Sequence, residues 1–296
     1  MSATVSQAQQ NPSPAAMAGA RAPTEREEIV ITPRRGWIGI DWAELWRYRE
    51  LLYFLAWRDV KIRYKQTIFG ILWAFIQPFM RMVVFSVFFG RLAKMDSEGF
   101  PYPIFVYAGL LPWQFFSEAL RRSASSLVSS SNLITKVYFP RLIVPLAAIG
   151  GCLVDFSISF GILVGLMLYY GITLTVAIAM VLPLVLLTVM VALGVGTLFS
   201  ALTVAYRDFR YVLGFGIQMW MFLTPIIYPV RIVPERWQWL LFLNPMSGIV
   251  DGYRSAILGK PFQWESLAIS VVVTLVLLTF AAAYFRRTEK QFADII

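Results

Sequence analysis

Six stretches of the chain are apolar for long enough to cross a lipid bilayer, and short polar connections separate them. They cover about residues 70–90, 103–128, 142–169, 174–202, 211–229 and 265–285. At about 1.5 Å per residue, each reaches across a hydrocarbon core of about 30 Å. The first reads GILWAFIQPFMRMVVFSVFFG. The second is the least apolar, with Pro112, Gln114, Glu118, Arg121 and Arg122; the third includes Asp155; the fourth has no charge and carries Pro183. These runs lack the polar face of a helix lying on a soluble core. The pattern predicts an all-α integral membrane protein with six transmembrane helices.

The flanks differ. Residues 1–40 are rich in Ala, Pro, Gln, Ser and Arg and contain no apolar run. They read as a disordered cytoplasmic tail and not as a signal peptide. Residues 41–66 read as an N-terminal amphipathic helix, with Asp41 as cap and Glu44 three positions on. Arg47, Glu50, Arg58, Lys61 and Lys65 form one stripe; Leu45, Tyr48, Leu52, Leu55, Ala56 and Val60 lie opposite. Arg49, Asp59 and Arg63 interrupt the pattern. With Trp42, Trp46 and Trp57, such a helix suits the membrane interface. A soluble helix docked on a partner protein is the alternative. The membrane domain proper is residues 67–290.

Residues 230–264 break the rhythm of spans. They hold apolar pieces such as WQWLLFLNPMSGIV that are too short to cross. These read as a re-entrant helix pair before the last span, with Asn244-Pro245 between its two helices. A plain loop with a surface helix is the other reading.

Composition strengthens the membrane reading. Of 296 residues, 58% are hydrophobic and mean hydropathy is +0.65, against about 45–50% apolar residues in soluble domains. The net charge of +9 requires no nucleic acid. If the N-terminus is cytoplasmic, most Lys and Arg lie on the inner side, and only Arg91, Lys94, Arg231, Arg236, Arg254 and Lys260 lie outside. That bias places both termini in the cytoplasm.

Catalytic chemistry finds little support. Histidine is absent and Cys152 is the single cysteine, which removes Ser-His and Cys-His pairs, an intrachain disulfide and cysteine metal clusters. No GxxxxGK[ST] phosphate loop occurs. The expectation is no enzyme, no metal and no cofactor on this chain. Intramembrane charge still needs a reason, because an ionisable group at mid-bilayer costs about 2.5–3.5 kcal/mol on insertion scales. Arg81 and Asp155 fall at similar depths, so Asp155 is the first expected partner of Arg81 and Glu118 the second. Either they line a polar passage or they form a buried structural pair. Gly161 and Gly165 form a GxxxG, and Gly194, Gly196 and Ser200 align in the fourth span; these read as close packing, with a hint of a dimer face.

The connection SSSNLITKVYFPR (129–141) reads as a short surface helix. Asn132 serves as cap, Pro140 as stop, and Leu133, Ile134, Val137, Tyr138 and Phe139 as an apolar stretch beside Lys136. Exposed apolar residues call for a partner; the membrane or the protein's own spans are the alternatives.

Several strings then converge on a family. WRDVKIRYKQTIFGILWAFIQPF (57–79), YPIFVYAGLLPWQFF (102–116), SNLITKVYFPRLIVPL (131–146), YRDFRYVL (206–213), LTPIIYP (223–229) and LNPMSGIVDGYR (243–254) resemble the permease subunits of ABC-type polysaccharide exporters. Those that export O-antigen or teichoic acid are most similar. The resemblance covers about residues 45–290. It implies a homodimer in the cytoplasmic (inner) membrane, with two copies of a separate ATPase that binds ATP and Mg. It implies a lipid-linked glycan as substrate and a re-entrant outer gate over about 231–262. It makes Asn132, Leu133, Ile134, Lys136, Tyr138 and Phe139 the helix that couples to the ATPase. Two other functions compete: export of a drug or lipid on the same fold, and a membrane enzyme acting on polyprenyl-linked sugars. The scarcity of acids and histidines in the loops disfavours the enzyme.

Overall fold

The computed structural model describes residues 42–65, 70–173, 175–289 and 292. The expected tail and the Asp41 cap lie outside the described residues. The described residues contain helices and turns and no strand. The first helices are α1 (Trp42–Arg47) and α2 (Arg49–Lys65). The predicted amphipathic helix is thus interrupted at Tyr48, although Tyr48 N still bonds Glu44 O and Leu52 N bonds Tyr48 O.

Next comes α3 (Gly70–Phe85), which widens into a π-helical stretch over Ser86–Leu92. α4 (Tyr102–Ser129), α5 (Ser131–Lys136) and α6 (Ile143–Tyr169) follow. A 3₁₀ turn, Val176–Met180, leads into α7 (Val181–Ala205). Then come α8 (Phe209–Leu223), α9 (Glu235–Leu243), α10 (Pro245–Leu258) and α11 (Trp264–Glu289).

Among the described residues, four stretches are long and apolar enough to cross a membrane: Leu72–Leu92, Ile143–Tyr169, Val176–Ala205 and Trp264–Glu289. This is a multi-pass membrane protein. α4 has 28 residues, long enough to cross, but Glu118, Arg121, Arg122 and a run of serines make its second half polar. α8 is apolar but has 15 residues, about 22 Å of helix. The expected fifth span, 211–229, is therefore helical only to Leu223. Thr224 precedes Pro225, which disfavours the helical conformation at Thr224, and Pro225 has no amide to donate. Residues 224–229 continue as a non-helical run.

The least apolar predicted span is the centre of the molecule. α4 packs against α3, α6, α7, α8 and α10, and Ile104, Phe105, Val106, Tyr107 and Ala108 have no exposed surface. Small residues let its neighbours close in. A Cβ on Gly196 of α7 would lie 2.5 Å from Ser123 Oγ on α4, and one on Gly194 would lie 3.3 Å from the Leu278 backbone of α11. Gly194 and Gly196 are packing glycines, as expected. Gly161 and Gly165 meet nothing within 4 Å, so no helix among the described residues closes on them.

Candidate functional site

The protein's polar features gather at the two ends of the bundle and where α2 meets α6. At one end, Leu55, Leu127, Ile134, Phe139, Ile143, Val204, Phe285 and Phe292 form an apolar cluster. It joins α2, α4, α5, α6, α7 and the C-terminal end of α11. α5 leaves α4 after a single non-helical residue, Ser130 (φ −108°, ψ 21°). The Ser130 carbonyl accepts from Leu133 N and Ile134 N.

Asn132 is therefore inside α5 and does not cap it; the residue before the helix is Ser130, whose side chain makes no capping bond. The helix also stops earlier than expected. Val137 is extended (φ −130°, ψ 134°), and Val137, Tyr138 and Phe139 lie beyond the helix. The apolar stretch is divided between inside and outside. Ile134 and Phe139 are buried in the cluster, whereas Val137 and Tyr138 are exposed, Tyr138 at 69%. Asn132 and Lys136 are exposed and Leu133 is half-buried. What this end offers a partner is Asn132, Lys136, Val137 and Tyr138. No sequence signal separated Phe139 from Tyr138, because the periodicity ended with the helix.

α2 lies along α6. The expected inner face is the one that is buried: Leu55 and Val60 of α2 fully, and Leu52 and Ala56 of α2, Leu45 of α1 and Tyr48 between the two helices in part. Gly150 and Gly151 allow the approach, since a Cβ on either would lie 3.6 Å from Ala56. Arg58, Lys61 and Lys65 are exposed on the opposite face. Arg63, an apparent misfit in the amphipathic pattern, forms an ion pair with Asp155 of α6, and Tyr64 donates its hydroxyl to the same carboxylate. This replaces the expected Arg81–Asp155 pair. Glu118 is also engaged elsewhere, with Arg122 at 2.7 Å and Arg121 at 3.7 Å on its own helix. Arg81 makes no ion pair among the described residues; Glu118 and Arg121 act on it through space. The reason is reach: α2 carries Arg63 down to the level of Asp155, a placement that hydropathy does not encode.

Between α2, α4 and α6 lies a cavity of about 220 Å³, lined by Arg58, Asp59, Arg122 and the hydroxyl residues Ser125, Ser126 and Ser129.

At the opposite end, α9 and α10 are two short helices separated at Asn244, as expected. Asn244 caps α10 by accepting from Met246 N at 3.1 Å. Its Oδ1 also accepts from Trp220 Nε1 at 2.8 Å, and its Nδ2 donates to Thr224 Oγ1 at 2.9 Å. α10 is buried from Pro245 to Leu258 except at Asp251, which is half-buried. It is pressed onto α11 at Gly248, where a Cβ would lie 2.2 Å from Ser270 Oγ. The loop after α3 brackets this helix pair. Asp96 pairs with Arg231 ahead of α9, and Glu98 pairs with Lys260 behind α10. Burial pushes the Lys260 ammonium down to about 8, while the Glu98 carboxylate in contact favours its charged form. These loop pairings join residues remote in sequence and carried no signal beforehand.

The described residues thus form a multi-span helical bundle with a short-helix pair at one end, of which α10 is buried, and an exposed projection around Tyr138 at the other. The chain belongs to the ABC-2 type transporter family, whose model matches residues 50–258. It is similar over most of its length to the O-antigen export system permease protein RfbA of Myxococcus xanthus, with 29% identity over 256 residues, 86% of this chain and 98% of the relative. The RfbA protein of Klebsiella pneumoniae is 25% identical over 83% of this chain and 95% of its own length. The polysialic acid transport protein KpsM of Escherichia coli is 24% identical over 79% and 91%.

Proposed function

We propose that this protein is the membrane subunit of an ATP-driven exporter that moves a lipid-linked polysaccharide of the O-antigen kind across the cytoplasmic membrane. The observation that carries this reading is the similarity to O-antigen permeases over nearly the whole of their length. In this reading two copies of the chain enclose the passage, and two copies of a separate ATPase bind ATP and Mg and supply the work. All six predicted segments cross the membrane, with α8 and the run 224–229 together making the fifth. The α5 end then faces the cytoplasm. α9 and α10 form a re-entrant pair on the outer side, a reading supported by their length and by the burial of α10.

Work enters at α5. The exposed Tyr138 and Val137, beside Lys136 and Asn132, form a small projection suited to a groove on the ATPase, and Ile134 and Phe139 root it in the bundle. The basic face of α2, with Arg58, Lys61 and Lys65, faces anionic headgroups or the ATPase. Arg81 and Glu118 are groups that a polar substrate meets inside the membrane. Asp155 instead holds α2 in place.

Deletion of the gene tests the proposal. The expected result is loss of surface polysaccharide and accumulation of its lipid-linked precursor on the inner side, both reversed by the intact gene. A deletion strain with normal surface polysaccharide and an altered profile of exported small molecules or lipids favours the drug or lipid exporter instead.

A further inference from the structure

Arg254 is buried with only 2% of its surface exposed, and it makes no ion pair among the described residues. Asp251, three positions earlier on α10, acts on it through space. A cation so placed is costly and needs well-aimed acceptors; its two Nη atoms find them, and its Nε has none among the described residues. Nη1 donates to the Pro225 carbonyl at 2.8 Å and Nη2 to the Ile226 carbonyl at 2.5 Å. The guanidinium carbon stands 3.8 Å from the centre of the Phe105 ring on α4, a cation–π contact.

Both carbonyls belong to the non-helical run 224–229. Helical bonding ends there because Pro225 has no amide, and backbone acceptors freed inside a membrane protein need donors that lipid does not provide. A guanidinium offers two donors in one planar fork and matches two successive carbonyls. The rest of the run is also held. Tyr102 of α4 donates to the Ile227 carbonyl at 2.9 Å, and Asn244 holds Thr224. Gly109 supplies the room: a Cβ there would lie 3.1 Å from Arg254 Nη2 and 3.3 Å from the Ile226 carbonyl oxygen.

We propose that Arg254 is a positioning residue for transport, which clamps the run 224–229 to α4 and α10 so that this run and the short helix pair form one stationary outer wall of the passage. The proposal rests on the reading of the chain as an export permease. It makes Asn244-Pro245 a braced corner and not a hinge. Lysine does not replace Arg254, because a single ammonium cannot span both carbonyls in a planar fork.

The test uses the full chain in complex with its ATPase, with Cys152→Ala and Ile226→Cys as background. A small membrane-impermeant methanethiosulfonate is applied from outside. In the parent, the residue 226 thiol is sheltered. In Arg254→Lys and Arg254→Gln its labelling rate rises by about tenfold or more, the change in local opening expected when a charge-assisted hydrogen bond is lost. Membrane level, co-purified ATPase and ATP hydrolysis stay at the parent values while export falls. Gly109→Ala presses on the same fork without removing it and produces a smaller rise in labelling. Slow labelling in both Arg254 variants, or export by Arg254→Gln at the parent rate, overturns the clamp. If neither Arg254 variant accumulates, Gly109→Ala decides, and unchanged labelling there overturns it. The labelling is read without substrate, so it judges the clamp separately from the glycan assay that judges the function.

Discussion

Arg63 of α2 and Asp155 of α6 form an ion pair, and Tyr64 donates to the same carboxylate. Both charged side chains are mostly buried, at 18% and 28% exposure. Truncating one leaves the other without its partner, so each single change costs more than its share of the double change. In a cycle of Arg63→Ala and Asp155→Ala, the detergent-solubilised protein shows a coupling of about 1–3 kcal/mol in unfolding. Arg81→Ala combined with Asp155→Ala is additive within about 0.5 kcal/mol. Coupling in the second cycle and additivity in the first would restore the Arg81 pairing.

Tyr138 and Phe139 are neighbours with opposite roles. Phe139→Ser opens the apolar cluster that joins α2, α6 and α11, at a cost of about 3–5 kcal/mol, and lowers the amount of folded protein. Tyr138→Ser changes an exposed side chain, so membrane level and melting temperature stay at the parent values. Its effect is that the ATPase no longer co-purifies, or that ATP is hydrolysed without export. A Tyr138→Ser chain that binds the ATPase and exports normally places the transfer of force elsewhere.

Gly248 and Gly161 separate packing from open surface. A methyl group on Gly248 would meet Ser270 Oγ at 2.2 Å and the Ser266 carbonyl oxygen at 2.7 Å. Gly248→Ala therefore pushes α10 off α11 and costs about 1–3 kcal/mol. Gly161→Ala meets nothing within 4 Å among the described residues and does not lower the melting temperature of the solubilised monomer, because Ala also favours the helix. Equal melting temperatures for the two variants would contradict the placement of α10.

Arg58, Lys61 and Lys65 share the exposed face of α2. Reversing all three to Glu leaves the buried Leu55 and Val60 in place, so the chain still folds. Co-purification of the ATPase falls, because surface attraction becomes repulsion. Repeating the pull-down across a salt series checks the cause: in the parent the association weakens as salt rises.

Hydropathy made four long apolar helices legible because lipid demands long apolar runs whatever their neighbours, and the Asn244-Pro245 break was legible because proline ends a helix locally. The inner face of α2 was readable for the same reason, a periodicity of 3.6. What escaped were relations between segments remote in sequence. Depth along the chain pairs Asp155 with Arg81, but depth does not say which helix lies alongside, and it is Arg63 of α2 that reaches Asp155. The second predicted span is the least apolar in sequence, yet the first half of α4 is among the most buried parts of the molecule, while Glu118, Arg121 and Arg122 pair along its more exposed second half. In sequence Arg254 reads as an outer loop charge, and only the folded chain brings it to the carbonyls of Pro225 and Ile226.

The central claim is best measured by purifying the chain with its partner ATPase, reconstituting the complex into liposomes and supplying the lipid-linked glycan on the ATPase side. The account predicts that the glycan becomes accessible to a glycosidase on the far side only when hydrolysable ATP is present, and that Tyr138→Ser abolishes this. Glycan that stays protected while ATP is hydrolysed and a smaller lipid or drug crosses would contradict it.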